Sequence, residues 1–548
     1  MLPTCLGFLV SHTSAIMATP NEKVEHQAPL TDPAPSTEKY VDEKKVEGSD
    51  TSSTTRAELA EGEAAHPQKS HHTHWGANQA IDPPQDTDDS LPVVEKAGTY
   101  DKIEITEEDC YDELGFSFPE WKKWMILSVI FMVQVSMNFN TSLYSNAIPG
   151  ISEEFGVSKQ AARCGAMIFL VLYAFGCELW APWSEELGRK PILQLSLFLV
   201  NLWQLPVALA PNFASIMVGR ALGGLSSAGG SVTLGMIADM WEADNQQYAV
   251  AFVVFSSVGG SVLGPVIGGF SEAYLDWRWS IWIQLIFGGF VQILHLVCVP
   301  ETRTTIMMDN IAKKRRKTGQ DKNIWGPDEL VPFKDRFSAK EILVTWIRPF
   351  KMFLTEPIVL TLSLLSGFSD ALIFMFIQSF ALVYKQWGFS TVEIGLSFIP
   401  IVIGYFIAWF SFFPAIRRNI AERKAKPDDE HAQYESRLWW LLYTAPCLPI
   451  GLIGFAWTST GPPIHWIGSM VFGAIVGIAN YSIYMATIDY MICAYGPYSA
   501  SATGGNGWSR DFLAGVLTIP ATPYFQSKPS FPSPPFHTNL TPNPRHRL

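Results

Sequence analysis

From Trp124 onward the chain is a succession of apolar stretches, each of roughly 20 residues, separated by short polar breaks, and few folds accept that pattern. A helix rises about 1.5 Å per residue, so about 20 apolar residues cross a hydrocarbon layer of about 30 Å while every backbone polar group is bonded internally. The stretches fall near 124–148, 163–183, 191–211, 214–238, 248–272, 279–299, 357–383, 392–414, 437–459, 465–492 and 499–524, which predicts eleven spans. The fold class is therefore an all-α integral membrane protein.

A mean hydropathy of only +0.14 hides this, because the chain is two materials joined near Trp121. Between Ala18 and Glu120 there are 24 acidic and 8 basic residues, so the whole excess behind the net charge of −12 sits in that segment. From Ala18 to about Glu113 the sequence is rich in Glu, Asp, Pro, Ser and Thr and lacks periodic apolar positions, so it is expected to stay unfolded. Met1 to Ile16 is weakly apolar with no charged leader, which leaves open both a start codon placed too early and a signal segment. His71, His72 and His74 have no fixed fourth partner and read as a polar tract, and seven scattered cysteines without a Cys-x-x-Cys pair indicate neither a disulfide framework nor a zinc site. No metal and no cofactor is expected.

Six spans, a long break and a second set of spans suggest two halves. The expected organisation is a disordered tail at 1–120, with 1–16 outside the translated protein as one reading, then six spans at 121–300, a basic central loop at 301–356, five recognisable spans at 357–525, and a non-membrane tail at 526–548. That last segment has six prolines and no apolar run, so it cannot cross a membrane. A splice or frame error that replaced the twelfth span is preferred over a genuine end after eleven. Lys313, Lys314, Arg315, Arg316 and Lys317, the pair Arg189 and Lys190, and the group Arg417, Arg418, Arg423, Lys424 and Lys426 all fall on one side if spans alternate. The excess of Lys and Arg there makes that side, and the N-terminus with it, cytoplasmic.

Within the spans, a few residues break the apolar pattern. Gly260, Gly264 and Gly268 recur every four residues and form one bare stripe on a helix, with Pro265 in its middle. Arg220 lies several residues inside the fourth span, where a permanent charge is costly unless it faces a polar cavity or a partner. Glu185 and Arg189 are four apart on the turn, so they can pair locally, and Glu185 could instead face a helix N-terminus across the boundary between the halves. Glu178, Asp370, Asp489, Arg510 and Asp511 are the other ionisable residues in spans. Asp370, about thirteen residues into the seventh span, is the leading candidate for a titrating acid, Asp489 is read as reaching for water from a span end, and Arg510 and Asp511 are expected to neutralise one another or a neighbour. Asn138, Asn140, Tyr144, Gln284, Gln378, Tyr481 and Tyr484 supply hydrogen-bonding positions that could line a cavity for an amphipathic ligand or bond helix to helix.

Four motifs resemble those of the major facilitator superfamily, and in particular fungal members of its twelve-span drug:proton antiporter family. Gly260-x-x-x-Gly264-Pro265-x-x-Gly268-Gly269 is similar to the antiporter motif of the fifth span, and Ser184-Glu185-Glu186-Leu187-Gly188-Arg189-Lys190-Pro191 to the loop motif between the second and third. Gly219-Arg220-Ala-Leu-Gly223-Gly224 resembles the fourth-span motif, and Pro300-Glu301-Thr302 the close of the sixth. Glu186 departs from the pattern, since many superfamily members have a basic residue there. The resemblance implies a major facilitator fold of two six-helix halves with the last span missing or replaced. It also implies a role for Arg220 in proton coupling, a gate latch at Glu185 and Arg189, and export in exchange for protons. The glycine stripe is then expected to form part of the sliding surface between halves.

No phosphate-binding Gly-x-x-x-x-Gly-Lys loop, His-Glu-x-x-His pair or Gly-x-Ser-x-Gly elbow occurs, which argues against an ATP-driven pump in one chain and against a membrane hydrolase. The expectation is a monomeric secondary transporter of the plasma membrane, not an enzyme, that exports a drug, toxin or secondary metabolite by proton antiport. Its partners would be that small molecule, protons and membrane lipid, with no nucleic acid. A polyamine or nutrient transporter, a membrane sensor and a truncated product without transport are the alternatives.

Overall fold

Each of the eleven apolar stretches is helical in the computed structural model, which describes residues 102–526 apart from 320, 322, 331–338, 428 and 496–497. The first six spans are Glu120–Glu154, Lys159–Glu186, Arg189–Ala208, Phe213–Leu225 continued by Gly229–Ala238, Ala243–Tyr274 and Trp277–Cys298. The next five are Pro357–Tyr384, Thr391–Leu396 continued by Ile399–Ala425, a rod assembled from Glu435–Leu438, Trp439–Thr444 and Cys447–Thr458, then Ile467–Ala494 and Ser499–Gln526. Ten of these are long and apolar enough to cross a membrane among the described residues. The eleventh has the length but carries a polar first half, Gly504 to Asp511, which it turns inward against the second and seventh spans.

The lipid-facing surface follows helical period. Ile286, Phe290, Ile293 and Val297 on the sixth span, and Ile403, Phe406, Ile407 and Phe410 on the eighth, are all exposed at spacings of three or four. Inside, one continuous apolar core joins both sets of spans, from Ile126 and Phe169 to Phe380 and Tyr481. The fourth span is broken at Ser226 to Ala228, and Ser196 of the third mends the break: its hydroxyl donates to the Ser226 carbonyl at 2.7 Å and accepts from the Ala228 amide at 2.9 Å.

One expectation is corrected here. The end of the segment read as unfolded is ordered: Ile103–Glu104 pairs in parallel with Ile324–Trp325 of the central loop, and Ile105, Cys110 and Leu114 pack with Met308, Ile311 and Ala312 of the helix Thr304–Thr318. These apolar residues are too few to form a core alone, so only the distant loop helix makes burial worth the lost chain entropy. Arg315 donates to Glu113 at 3.2 Å, and Tyr111 donates at 3.2 Å to Glu242, which precedes the first residue of the fifth span, so this cap lies on the basic side of the bundle. Leu114→Asp would bury an unpaired charge, at a cost of several kcal/mol. Limited proteolysis is expected to cut that variant between 103 and 117 while the spanning core stays intact.

Arg316 grips Glu329 at 2.7 and 2.8 Å and holds its carboxyl below the usual carboxylate range. The stability this contributes is present at neutral pH and lost as pH falls through the lowered value, so the protection of the amides at 324–329, measured against their intrinsic exchange rates, should fall in acid. The first 101 residues, with their histidine cluster and the segment 1–16, and the Pro-rich stretch 527–548 lie outside the described residues.

Candidate functional site

On the basic side, five side chains lock the ends of the second, third, fourth and sixth spans together. Arg189, buried, donates through Nε to Asp239 at 3.0 Å and through Nη1 to Ser184 at 2.8 Å, and Arg303 reaches the other Asp239 oxygen at 3.7 Å. Glu301 caps the third span: its carboxylate accepts the amides of Arg189 at 2.9 Å and Lys190 at 3.2 Å, and those of Thr302 and Arg303 at 2.9 Å each. The local Glu185–Arg189 pair, one of the two readings open for Glu185, does not form. The helix stops at Glu186, and Gly188 turns the chain with a φ of +101°, so the two residues are not on one helix and spacing of four means nothing there. Sequence reading missed Asp239, although its position at the end of a neighbouring span, on the same side as Arg189, was a usable signal.

Arg220 sits in a sleeve of the first, second and fourth spans. Its Nε donates to the Gly165 carbonyl at 3.2 Å, and its Nη1 donates to Asn140 at Oδ1 (2.9 Å) and at the carbonyl (3.3 Å). The guanidinium carbon lies 4.1 Å from the Phe169 ring centre and 4.5 Å from that of Tyr144, whose hydroxyl donates to the Ala162 carbonyl at 3.1 Å. No carboxylate lies within ion-pair distance among the described residues, and Nη2 has no hydrogen-bond partner. Asn140 and Tyr144, picked from sequence as cavity candidates, are in fact the walls of this sleeve.

The second charged cluster lies where the second span meets the seventh, tenth and eleventh. Arg510 holds Asp511 at 3.0 Å and faces Asp370 at 3.9 Å, while Tyr484 lies under its guanidinium at 4.3 Å. Glu178 reaches the same place from the second span and, with Tyr484, Arg510 and Asp511, lines a cavity of about 20 Å³. That volume holds about one water molecule, so no organic ligand fits until the spans part. Three acids and one guanidinium thus share a buried seam between the first six spans and the last five.

The remaining candidates divide. Gln378 bridges the two sets, donating to Ser145 at 3.0 Å and accepting from Arg163 at 3.3 Å, and Tyr481 does so by donating to the Ala251 carbonyl at 2.9 Å. Asn138 and Gln284 bond within the first six spans, Asn138 to the Gln134 carbonyl at 3.0 Å and Gln284 to the Ser136 carbonyl at 3.1 Å. Asp489 is not at the water surface as expected: it is buried, pairs with Arg437 at 2.6 Å and accepts from Gln247 of the fifth span.

The glycine stripe also lies elsewhere than expected. Gly260, Gly264 and Gly268 face the first span, within the same six: a Cβ on Gly260 would come 2.8 Å from the Val135 carbonyl oxygen, one on Gly264 would meet Ser142, and one on Gly268 would meet Asn146. The neighbouring strip does touch the other set, since a Cβ on Gly269 would lie 3.0 Å from the Thr391 carbonyl oxygen and one on Gly395 would lie 2.8 Å from that of Pro265. The fifth span continues through Pro265 as one helix. Gly264→Val should push the first span off its seat, and the folded yield in detergent should fall several-fold, whereas Gly289→Ala, with open space around it, should not change it.

A model of the Major Facilitator Superfamily matches residues 130–518. The MFS-type transporter acdC of Aspergillus candidus is 30% identical over 414 residues, covering 74% of this chain and 79% of the relative. The citrinin biosynthesis cluster MFS transporter mrr1 of Monascus ruber is 28% identical over 420 residues, covering 75% and 82%. Among solved structures, the partially occluded inward-open xylose transporter XylE of E. coli aligns with a TM-score of 0.48 at 14% identity, covering 72% of this chain and 91% of that one. Through the family match and its transporter relatives, this chain belongs to the Major Facilitator Superfamily, a family of membrane transporters.

Proposed function

We propose that the protein exports a small organic compound in exchange for protons by alternating access, with the first six spans and the last five parting on one side and then the other. The observation that carries this reading is the seam cluster: Glu178, Asp370 and Asp511 outnumber Arg510, and binding a proton there would cancel charge held away from water. Relatives named for secondary-metabolite clusters, such as the citrinin and ascochitine transporters, support a secondary metabolite, toxin or drug as the cargo. The basic side, where the Arg189–Asp239 latch and the cap on the central loop lie, is read as cytoplasmic in a plasma-membrane monomer.

The test is uptake into inverted membrane vesicles carrying the full chain, with citrinin as the first compound tried and a panel of other fungal metabolites after it. Accumulation driven by an acid interior is expected to vanish when an ionophore collapses the pH gradient. Undiminished accumulation without the gradient would refute antiport.

A further inference from the structure

Glu178 stands apart from the other buried acids. It is 3% exposed, and its carboxylate lies against Gly504 of the eleventh span, where an added methyl would sit 2.9 Å from Oε1. Among the described residues it has neither a hydrogen bond nor an ion pair, and it lines the water-sized cavity with Ser231, Tyr484, Thr503, Arg510 and Asp511. Asp511 is held by Arg510 at 3.0 Å, and Asp370 faces Arg510 at 3.9 Å with Asn480 as a further partner. Glu178 has no such support.

The groups that face it are these, element by element. Its own helix offers Cys177, the fourth span only the uncharged Gly230 and Ser231, the tenth Tyr484, the eleventh Arg510 and Asp511, and the seventh Asp370 behind Arg510. The amphipathic helix Ala339–Thr355 beside it carries Arg348, which lies 5.5 Å from the Tyr498 ring centre, and Lys351, which is exposed. None of these cations lies within ion-pair distance of Glu178.

An ionised carboxylate shut away from water without a cation costs several kcal/mol, and a protonated one does not. We propose that Glu178 is the acid that takes up and releases the exchanged proton, loading as the second and eleventh spans close and unloading as they part. On loading, a hydronium in the cavity gives its proton to a carboxylate oxygen and leaves a water. On unloading, that O–H bond breaks and the proton returns to water on the other side, while Arg510 stays with Asp511. This rests on the antiport reading above and specifies its acid, in place of Asp370.

The test needs no transported compound. The full-length protein in lipid nanodiscs is titrated from alkaline to acidic pH while proton uptake and tryptophan fluorescence are followed, Trp180 being two residues from Glu178 and Trp508 two from Arg510. Glu178→Gln is expected to lose one titrating equivalent and the associated fluorescence step, Glu178→Asp to keep both, and Asp370→Asn to keep the step. The assignment is overturned if Glu178→Gln binds protons and changes fluorescence as the parent does, or if Asp370→Asn alone loses the step. These outcomes are separate from the vesicle assay: a parent indifferent to the pH gradient defeats antiport, whereas a gradient-driven parent with an unaltered Glu178→Gln titration defeats only the role of Glu178.

Discussion

Arg220→Lys is expected to lower transport about tenfold or more while the protein remains folded in the membrane. The guanidinium joins two spans at once, bonding Gly165 on the second and Asn140 on the first, and lies against the rings of Phe169 and Tyr144. An ammonium keeps the charge but has no planar fork, so it cannot reach both carbonyl positions from one point. Losing a single charge-assisted hydrogen bond costs about 1.5–3 kcal/mol, roughly a tenfold to hundredfold effect on a step that depends on the sleeve. Transport per unit of reconstituted protein, with size-exclusion profile as the control for folding, reads this directly. A well-expressed Arg220→Lys protein with parental activity would remove Arg220 from the mechanism.

Asp239→Ala should produce the largest loss of stability. Asp239 separates Arg189 from Arg303, at 3.0 and 3.7 Å, and without it two guanidinium groups meet in a site where Arg189 has little access to water. Removing one partner of a buried pair costs about 3–5 kcal/mol, and the remaining repulsion adds to it. Thermal unfolding in detergent should show a clear drop in midpoint. Arg189→Ala with Asp239→Ala together should recover part of it, because the stranded charge is then gone. Equal midpoints for Asp239→Ala and the parent would mean the latch is not closed in the resting protein.

The spans were legible because a bilayer imposes one rule on every one of them: enough consecutive apolar residues for a helix to cross. The charged residues inside them were legible as exceptions to that rule, and Arg220 is indeed enclosed on all sides. What each charge faces was not legible, because partners come from other spans. Arg189 meets Asp239 across fifty positions, and Asp489 meets Arg437 across 52. Glu178 and Asp370 look alike in sequence, two acids in apolar helices, and only the fold shows that Asp370 lies 3.9 Å from Arg510 while Glu178, lining the same cavity as Arg510, has no cation within ion-pair distance among the described residues. The stripe at Gly260, Gly264 and Gly268 announced close packing correctly, but a glycine carries no information about which helix fills the gap. The ordered piece at Ile103 to Leu114 was hidden for a related reason: its core is completed by Met308, Ile311 and Ala312 about two hundred residues away.

The central claim is that transport requires the second and eleventh spans to part. A Cβ on Gly515 would lie 3.0 Å from that of Leu170, about half an ångström short of the ~3.5–4.5 Å that a disulfide spans, so with a small outward shift of the two helices Leu170→Cys with Gly515→Cys offers a lock across the seam. With each single variant active, oxidation of the double variant should stop transport and reduction should restore it. Transport at the parental rate by fully cross-linked protein would contradict the account.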